Sequence, residues 1–119
     1  MKVLLIGASR KPERYAYLAF HRLKEAGHDV VLFNPAIEDV EGHPVCNDLR
    51  TIKEDIHTVT LYVGEKNLIP LVSDIIDLKP KRIISNPGTE CEAMKTACEQ
   101  YGIEYIEACT LVMLKTKQW

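Results

Sequence analysis

Short apolar runs alternate along this chain with segments whose apolar residues recur every three or four positions. The runs rich in apolar and β-branched residues predict five strands, at 2–6, 29–33, 57–63, 82–85 and 103–106. Helical spacing predicts helices over 12–26 and 90–101, and an apolar helical stripe from Leu68 to Leu78. Strands and helices in this order are typical of α/β proteins with right-handed crossovers. We therefore predict a Rossmann-like, doubly wound, five-stranded parallel sheet with helices on both faces.

Proline, glycine and capping residues predict where these elements begin and end. Pro12 suits the first turn of the first helix, whose apolar positions run from Tyr15 to Ala26, and Gly27 ends it. Thr89 and Glu92 have the spacing of a capping box, which predicts the start of the helix over 90–101.

Three further segments are less regular. Residues 36–48 carry charges, glycine and proline without periodicity, so we predict a loop over the ligand crevice. Asp48 is expected to cap a short helix over 49–54. The apolar tail at 111–114 is expected to pack as a short helical turn.

Length and charge narrow the functional classes. The 119 residues are 46% apolar, which suits one domain spanning 1–119 with a real core. A net charge of −2 argues against general binding to nucleic acid or anionic membranes. No apolar stretch approaches the roughly 20 residues of a membrane-spanning helix. We expect a cytoplasmic protein whose partner is a small molecule.

The four cysteines, at positions 46, 91, 98 and 109, lack the spacing of a zinc site. Reduced thiols of a cytosolic protein are the expectation, mostly buried as small apolar groups. Cys91 and Cys98 are seven residues apart on a predicted helix, so we expect them to share its packed face.

The turn that follows the first strand predicts an anion site. It has the sequence Gly7-Ala8-Ser9-Arg10-Lys11-Pro12 and leads from a buried strand into a helix. A small residue lets the backbone approach a ligand, and the helix start directs unpaired N–H groups and a positive dipole end toward it. Together with Arg14, the basic side chains could contact an extra ribose phosphate, as in coenzyme A or NADP. The alternative is a solvated basic helix start.

The turn differs from the dinucleotide fingerprint G-x-G-x-x-G, because Ser9 and Pro12 stand where that pattern has glycines. NAD-binding proteins also commonly place an acidic residue at the end of the second strand, where this chain has Asn34 and Pro35. Both departures count against NAD.

Other strand ends supply the remaining candidates, because ligands of such sheets lie outside the carboxyl ends of the strands. Pro35 and the adjoining backbone offer a flat apolar wall for a purine, or simply stop the strand. Tyr62 lines the same crevice or is an ordinary strand aromatic. The turn Asn86-Pro87-Gly88 precedes a capped helix and makes a second site of backbone donors.

Catalytic chemistry has weaker support. Cys109 lies at a strand end and is either a nucleophile or an apolar filler, but nothing near it in sequence would generate a thiolate. The four histidines have no metal or triad spacing, and no paired carboxylates follow the strands. Whether the chain is an enzyme stays open at this stage, and binding without catalysis is the favoured interpretation.

The chain resembles the small stand-alone bacterial CoA-binding proteins of Rossmann type, which are similar to the CoA-binding domain of the succinyl-CoA synthetase α subunit. The resemblance covers nearly the whole chain and rests on Gly7-Ala8-Ser9 with Pro12-Glu13-Arg14-Tyr15, Gly27-His28-Asp29-Val30, Asn34-Pro35, Asn86-Pro87-Gly88-Thr89-Glu90 and the segment 108–114.

The resemblance implies that Ser9, Arg10 and the following amides meet the CoA phosphates. It also implies that Asn34, Pro35 and Tyr62 border the adenosine, while pantetheine runs past Asn86, Pro87 and Gly88. Ligase activity is not implied, because the synthetase phosphorylates a histidine outside its CoA-binding domain.

Two alternatives accompany the leading hypothesis of a CoA or acyl-CoA binding protein. The first is an NADP-dependent reductase or nucleotide-binding subunit completed by a partner chain, since a Ser-Arg-Lys turn also suits a ribose phosphate. The second is an interaction module whose apolar tail, ending at Trp119, docks a partner or a second copy of this chain.

Overall fold

A computed structural model describes residues 1–119 as seven strands and five α-helices. The strands are β1 (Lys2–Ile6), β2 (Asp29–Phe33), β3 (Asp39–Val40), β4 (His43–Cys46), β5 (Thr58–Leu61), β6 (Arg82–Ser85) and β7 (Glu104–Glu107). The helices are α1 (Tyr15–Glu25), α2 (Glu65–Leu68), α3 (Val72–Asp77), α4 (Glu92–Tyr101) and α5 (Thr110–Lys115), with 3₁₀ turns at Leu49–Thr51 and Ile69–Leu71.

The strands form one mostly parallel sheet in the order β3-β4-β2-β1-β5-β6-β7. The α/β class is therefore confirmed, and β1 is the strand between the two halves of the sheet. Leu5 of β1 lies beside Leu32 of β2 on one side and beside Thr60 of β5 on the other. After β2 and its neighbours the chain returns to the opposite side of β1, so the strand order reverses there.

The predicted count of five strands is too low, because part of the predicted loop over 36–48 is the antiparallel hairpin of β3 and β4. Glu41 and Gly42 both have positive φ, at 49° and 83°, and make its tight turn. Val40 and Val45 are buried and attach the hairpin to the core. Strands this short carry too few residues for a visible period of two.

Two apolar clusters cover the faces of the sheet, because alternate side chains of β1 point to opposite sides. Leu4 and Ile6 belong to the cluster that includes residues of α3 and α4. Leu5 belongs to the other, together with the buried residues Ala16, Ala19 and Phe20 of α1. Cys91 and Cys98 are buried in the first cluster, which confirms their packing role.

Helix α1 begins three residues later than predicted. The Arg14 N–H donates to the Lys11 carbonyl, and Arg14 itself is extended, so Pro12 lies in a preceding turn. The buried face also differs from the predicted stripe, because Tyr15 is 72% exposed while Ala16 is buried. Ala26 is exposed as well.

Helix α4 also begins later than the capping-box spacing indicates, with Cys91 as its N-cap residue. The Thr89 hydroxyl donates to the Asn86 carbonyl at 2.8 Å and contacts the Ser85 hydroxyl at the same distance, so it caps a turn instead. The stripe from Leu68 to Leu78 is divided into α2, a 3₁₀ turn containing Pro70, and α3.

Several other predicted ends are confirmed, although the short helix predicted over 49–54 is only a 3₁₀ turn that ends at Thr51. The Asp48 carboxylate accepts from the Arg50 N–H and caps the 3₁₀ turn at 49–51. Gly27 and Gly102 follow the ends of α1 and α4, and the apolar tail forms α5. None of the helices combines the length and the apolar character that crossing a membrane requires.

Candidate functional site

A cleft of about 580 Å³ opens at the carboxyl ends of β1, β2, β5 and β6, where the strand order reverses. Its volume falls in the range of roughly 300–1,000 Å³ that is usual for ligand sites. Most residues predicted for the site line it: Gly7, Ala8, Ser9, Arg10, Lys11, Arg14, Asn34, Tyr62, Pro87 and Gly88. Three predicted residues, Pro35, Asn86 and Cys109, lie outside this lining.

The turn after β1 is attached to β2 by its first two amides. The N–H groups of Gly7 and Ala8 both donate to the Phe33 carbonyl, at 2.9 and 3.0 Å. Gly7 has φ +99°, and a Cβ built there would lie 2.8 Å from the Tyr62 carbonyl oxygen. Glycine is therefore required by close packing against the end of β5, and its amide serves the fold instead of a ligand.

Where the turn after β1 and the first turn of α1 line the cleft, four amides have no partner in the protein. The N–H groups of Ser9 and Arg10, in the turn, and of Tyr15 and Ala16, in the first turn of α1, donate to no backbone or side-chain acceptor. The N-cap residue Arg14 provides no side-chain cap, and the first turn of α1 contains no acidic residue. Unpaired donors and the positive end of the helix dipole meet here, which favours an anion.

Three cations stand around these amides. Lys11 and Arg14 make no ion pair, whereas the Arg10 guanidinium is held by Asp39 of β3. Basic residues at a helix start lie near the positive end of the helix dipole. Without a bound anion, the interaction between these positive charges is unfavourable. The charge at this corner of the cleft matches a ligand that carries several negative charges.

Asn34, at the end of β2, fastens the neighbouring loops to this turn. Its Nδ2 donates to the Ala8 carbonyl at 2.8 Å, and its Oδ1 accepts from the Ala36 N–H at 2.7 Å. Asn47 donates in turn to the Asn34 carbonyl at 2.6 Å. Asn34 therefore borders the cleft with a side chain already committed to positioning the turn.

Asn86 is part of the interior and not of the cleft surface. The residue is 2% exposed, and its Nδ2 donates to Thr60 Oγ1 at 2.7 Å and to the Leu61 carbonyl at 2.8 Å. Its Oδ1 accepts from the Thr110 N–H at 2.8 Å. The side chain joins β5, β6 and α5 below the turn that presents Pro87 and Gly88 to the cleft.

Tyr62 lines the cleft, and its hydroxyl is buried. The hydroxyl oxygen is buried near the hydroxyls of Thr60 and Thr110 without a hydrogen bond of good geometry. Burial raises the pKa of Tyr62 to about 12, so the phenol is neutral at physiological pH. The residue therefore offers the cleft a neutral aromatic wall.

The remaining predicted residues lie nearby. Cys109 is half-buried as the N-cap residue of α5, and Pro35 is exposed beside Asn34. No three His, Cys, Asp or Glu side chains converge as a metal site would require.

Sequence reasoning missed six lining residues: Tyr15, Ala16, Ile37, Val63, Gly64 and Thr89. Tyr15 places an exposed aromatic ring at the start of α1. Tyr15, Leu18 and Ala19 have the spacing of a buried helix face, so the sequence predicted that Tyr15 would be buried. Val63 and Gly64 directly follow Tyr62 beyond the end of β5, so extending the strand-end rule by two residues would have found them.

Comparison with solved structures supports the fold. A crystal structure of an uncharacterized protein is 41% identical over 99% of this chain and 97% of its own, with a TM-score of 0.93. A hypothetical protein from Pyrococcus horikoshii OT3 is 26% identical, with a TM-score of 0.91 over 98% of this chain and 83% of its own.

A larger enzyme contains the same fold. The dinucleotide-forming acetyl-coenzyme A synthetase 1 of Ca. Korarchaeum cryptofilum is 14% identical, with a TM-score of 0.76 over 90% of this chain and 25% of its own. The curated proteins include no match. Residues 1–115 match the family described as CoA binding domain, and the chain therefore belongs to the CoA-binding domain family.

Proposed function

We propose that this protein binds coenzyme A, free or acylated, in the cleft and that residues 1–119 act as one CoA-binding domain. The observation that carries the proposal is the group of four unpartnered amides beside Lys11 and Arg14. CoA carries a diphosphate and a 3′-phosphate, so it supplies the several negative charges that this corner calls for. Membership in the CoA-binding domain family supports the same ligand.

The lining suggests how the ligand would lie. The diphosphate would accept from the free amides of Ser9 and Tyr15, with Lys11 and Arg14 neutralising its charge. The adenosine would lie toward Asn34 and the Tyr62 ring, and the pantetheine arm would run past Pro87 and Gly88. Holding the phosphates requires no proton transfer, so we propose binding without catalysis as the role of the cleft.

The end of β2 favours CoA over NAD. NAD-binding domains commonly use an acidic side chain there to accept from the ribose hydroxyls. Here the position is Asn34, whose amide is engaged with Ala8 and Ala36. A ribose that carries a 3′-phosphate would be bound better by the basic side chains that line the cleft.

Calorimetric titration tests the ligand directly. We expect heat and a thermal shift with CoA and acetyl-CoA, and a weaker response to NADP and NAD. A ligand at about 100 times its Kd stabilises the folded state by roughly 2.7 kcal/mol, which raises Tm by several degrees in a domain of this size. Absence of any response to millimolar CoA, together with a clear response to another nucleotide, would contradict the proposal.

Arg10→Ala is expected to weaken CoA about five- to tenfold, because a charge-assisted contact to the 3′-phosphate is lost. The loss for dephospho-CoA should be under twofold, since that ligand lacks the phosphate. Arg22→Ala is the matched control, because Arg22 is also exposed and ion-paired but lies in the last turn of α1. Equal losses for the two ligands would remove Arg10 from the phosphate contact.

A further inference from the structure

One ion pair stands at the cleft, and it joins the lining to the hairpin of β3 and β4. Arg10 Nη2 donates to Asp39 Oδ1 at 2.8 Å, and Arg10 Nε donates to the Asp39 carbonyl oxygen at 2.7 Å. Both side chains are about half exposed. The other two cations of the lining, Lys11 and Arg14, have no such partner.

The Asp39 carboxylate is also held from its far side. Its Oδ2 accepts from the Gly42 N–H at 3.1 Å, across the tight turn of the hairpin. Its neighbour Val40 is 1% exposed, so the strand that carries the carboxylate is fixed in the core. The Gly42 N–H and the Arg10 guanidinium hold the pKa of Asp39 below its ordinary value, so the carboxylate is charged at neutral pH.

The ion pair with Asp39 occupies one hydrogen-bonding edge of the Arg10 guanidinium and leaves the other edge free. Nε and Nη2 form the side edge, which Asp39 occupies, while Nη1 and the second Nη2 hydrogen form the end edge, which has no protein partner. An arginine held in this way keeps a fixed direction for a bidentate contact to a phosphate. The same carboxylate adds a negative charge beside any phosphate that binds there.

We propose that Asp39 is the specificity-determining residue of the cleft, limiting how much a terminal phosphate on the ribose adds to affinity. The inference rests on the proposed function, because the 3′-phosphate of CoA is the group that would meet Arg10. A phosphomonoester carries a charge near −1.5 to −2 at pH 7 and is repelled by a neighbouring carboxylate. Asp39 therefore aligns Arg10 while offsetting part of its attraction for the ligand.

Asp39→Asn separates these two effects, because asparagine keeps an acceptor for Arg10 and removes the charge. We expect the variant to bind CoA about two- to fivefold more tightly at low ionic strength, the size of effect that half-exposed ion pairs produce. Affinity for dephospho-CoA should stay unchanged, so the ratio of the dephospho-CoA dissociation constant to the CoA dissociation constant rises. Raising the salt concentration should shrink the gain.

Glu41→Gln is the matched control. Glu41 is a carboxylate on the same hairpin, but it contacts Tyr17 and His21 of α1 instead of the cleft lining. Its neutralisation should leave the ratio of the dephospho-CoA to the CoA dissociation constant unchanged. If Asp39→Asn does not fold, as judged by thermal unfolding, Asp39→Ser provides the same loss of charge with a smaller acceptor.

The outcomes distinguish this inference from the proposed function. If the wild-type protein binds CoA but Asp39→Asn leaves the ratio unchanged or lowers it, the role of Asp39 is wrong and CoA binding stands. If the gain persists undiminished at high salt, it does not come from removing a charge, which also overturns the inference. If neither protein binds CoA, both proposals fall.

Discussion

Gly7→Ala is expected to lower the free energy of unfolding by roughly 2–5 kcal/mol, from backbone strain and steric overlap together. Gly7 has φ +99°, which side chains rarely adopt, and the added methyl would lie 2.8 Å from both the Tyr62 carbonyl oxygen and Val63 Cγ1. The backbone contact cannot be relieved by a change of rotamer. Urea unfolding monitored by circular dichroism measures the loss.

Gly27→Ala isolates the strain component. Gly27 has φ +87°, but an added Cβ would meet nothing within 4 Å. Its cost should therefore be that of conformation alone, about 1–3 kcal/mol, and Gly7→Ala should exceed it by a similar amount because of the overlap. Equal losses in the two variants would show that the turn yields freely toward the cleft.

The same substitution bears on the ligand site. Gly7 and Ala8 are both hydrogen-bonded to the Phe33 carbonyl, so a shift that relieves the methyl also displaces the amides that follow. Gly7→Ala protein that remains folded should bind CoA at least tenfold more weakly, since preorganised donors lose their alignment. Gly27→Ala should bind as the wild type does, because Gly27 lies beyond the other end of α1.

The arrangement of the sheet was predictable because its central strands are buried on both faces. Leu4 and Leu5 lie in successive positions and enter opposite clusters, so the strand reads as a continuous apolar run. The β3 and β4 hairpin was not predictable in the same way. It has only two and four residues, and its turn is defined by the backbone of Glu41 and Gly42.

The position of the cleft followed from topology, whereas the roles of side chains did not. Parallel strands bring their carboxyl ends to one edge, which placed Gly7, Tyr62 and Pro87 around one opening. Hydrogen-bond partners depend on neighbours distant in sequence, and Asp39 is 29 residues from Arg10. The sequence therefore located the cations that line the cleft but not the carboxylate that pairs with one of them.

For Asn86, too, the sequence predicted the position of the turn but not the contacts of the side chain. The turn that contains it was predicted at the cleft, and Pro87 and Gly88 do line it. The Asn86 side chain binds the Thr60 hydroxyl of β5 and the Thr110 backbone N–H of α5. The hydroxyl of Thr60 was the available signal, because such a group needs a partner when it is buried.

Asn86→Asp is expected to lower the free energy of unfolding by roughly 3–5 kcal/mol at neutral pH, although the two side chains have the same shape. The variant loses the two N–H donations to Thr60 and the Leu61 carbonyl, and sets a carboxylate oxygen against that carbonyl at about 2.8 Å. Burial and this repulsion disfavour the charged form, so the folded-state pKa of the new carboxyl rises above the ordinary value near 3.9.

The sign of the pH dependence follows from that shift. Between the unfolded and folded pKa values the folded variant binds more protons than the unfolded chain, so its stability falls as pH rises. The deficit relative to wild type should therefore be smallest below about pH 4 and grow through neutral pH until the folded pKa is passed. Urea unfolding at pH 4 and pH 8 measures it.

Asn67→Asp is the control, because Asn67 is exposed in α2 and its side chain makes no hydrogen bond. Its stability should stay within about 0.5 kcal/mol of wild type at both pH values. A pH-independent loss at Asn86 would show that the carboxyl reaches water, and the network joining β5, β6 and α5 would then open more easily than its burial indicates. Loss of CoA binding together with stability would instead show that this network supports the cleft wall at Pro87 and Gly88.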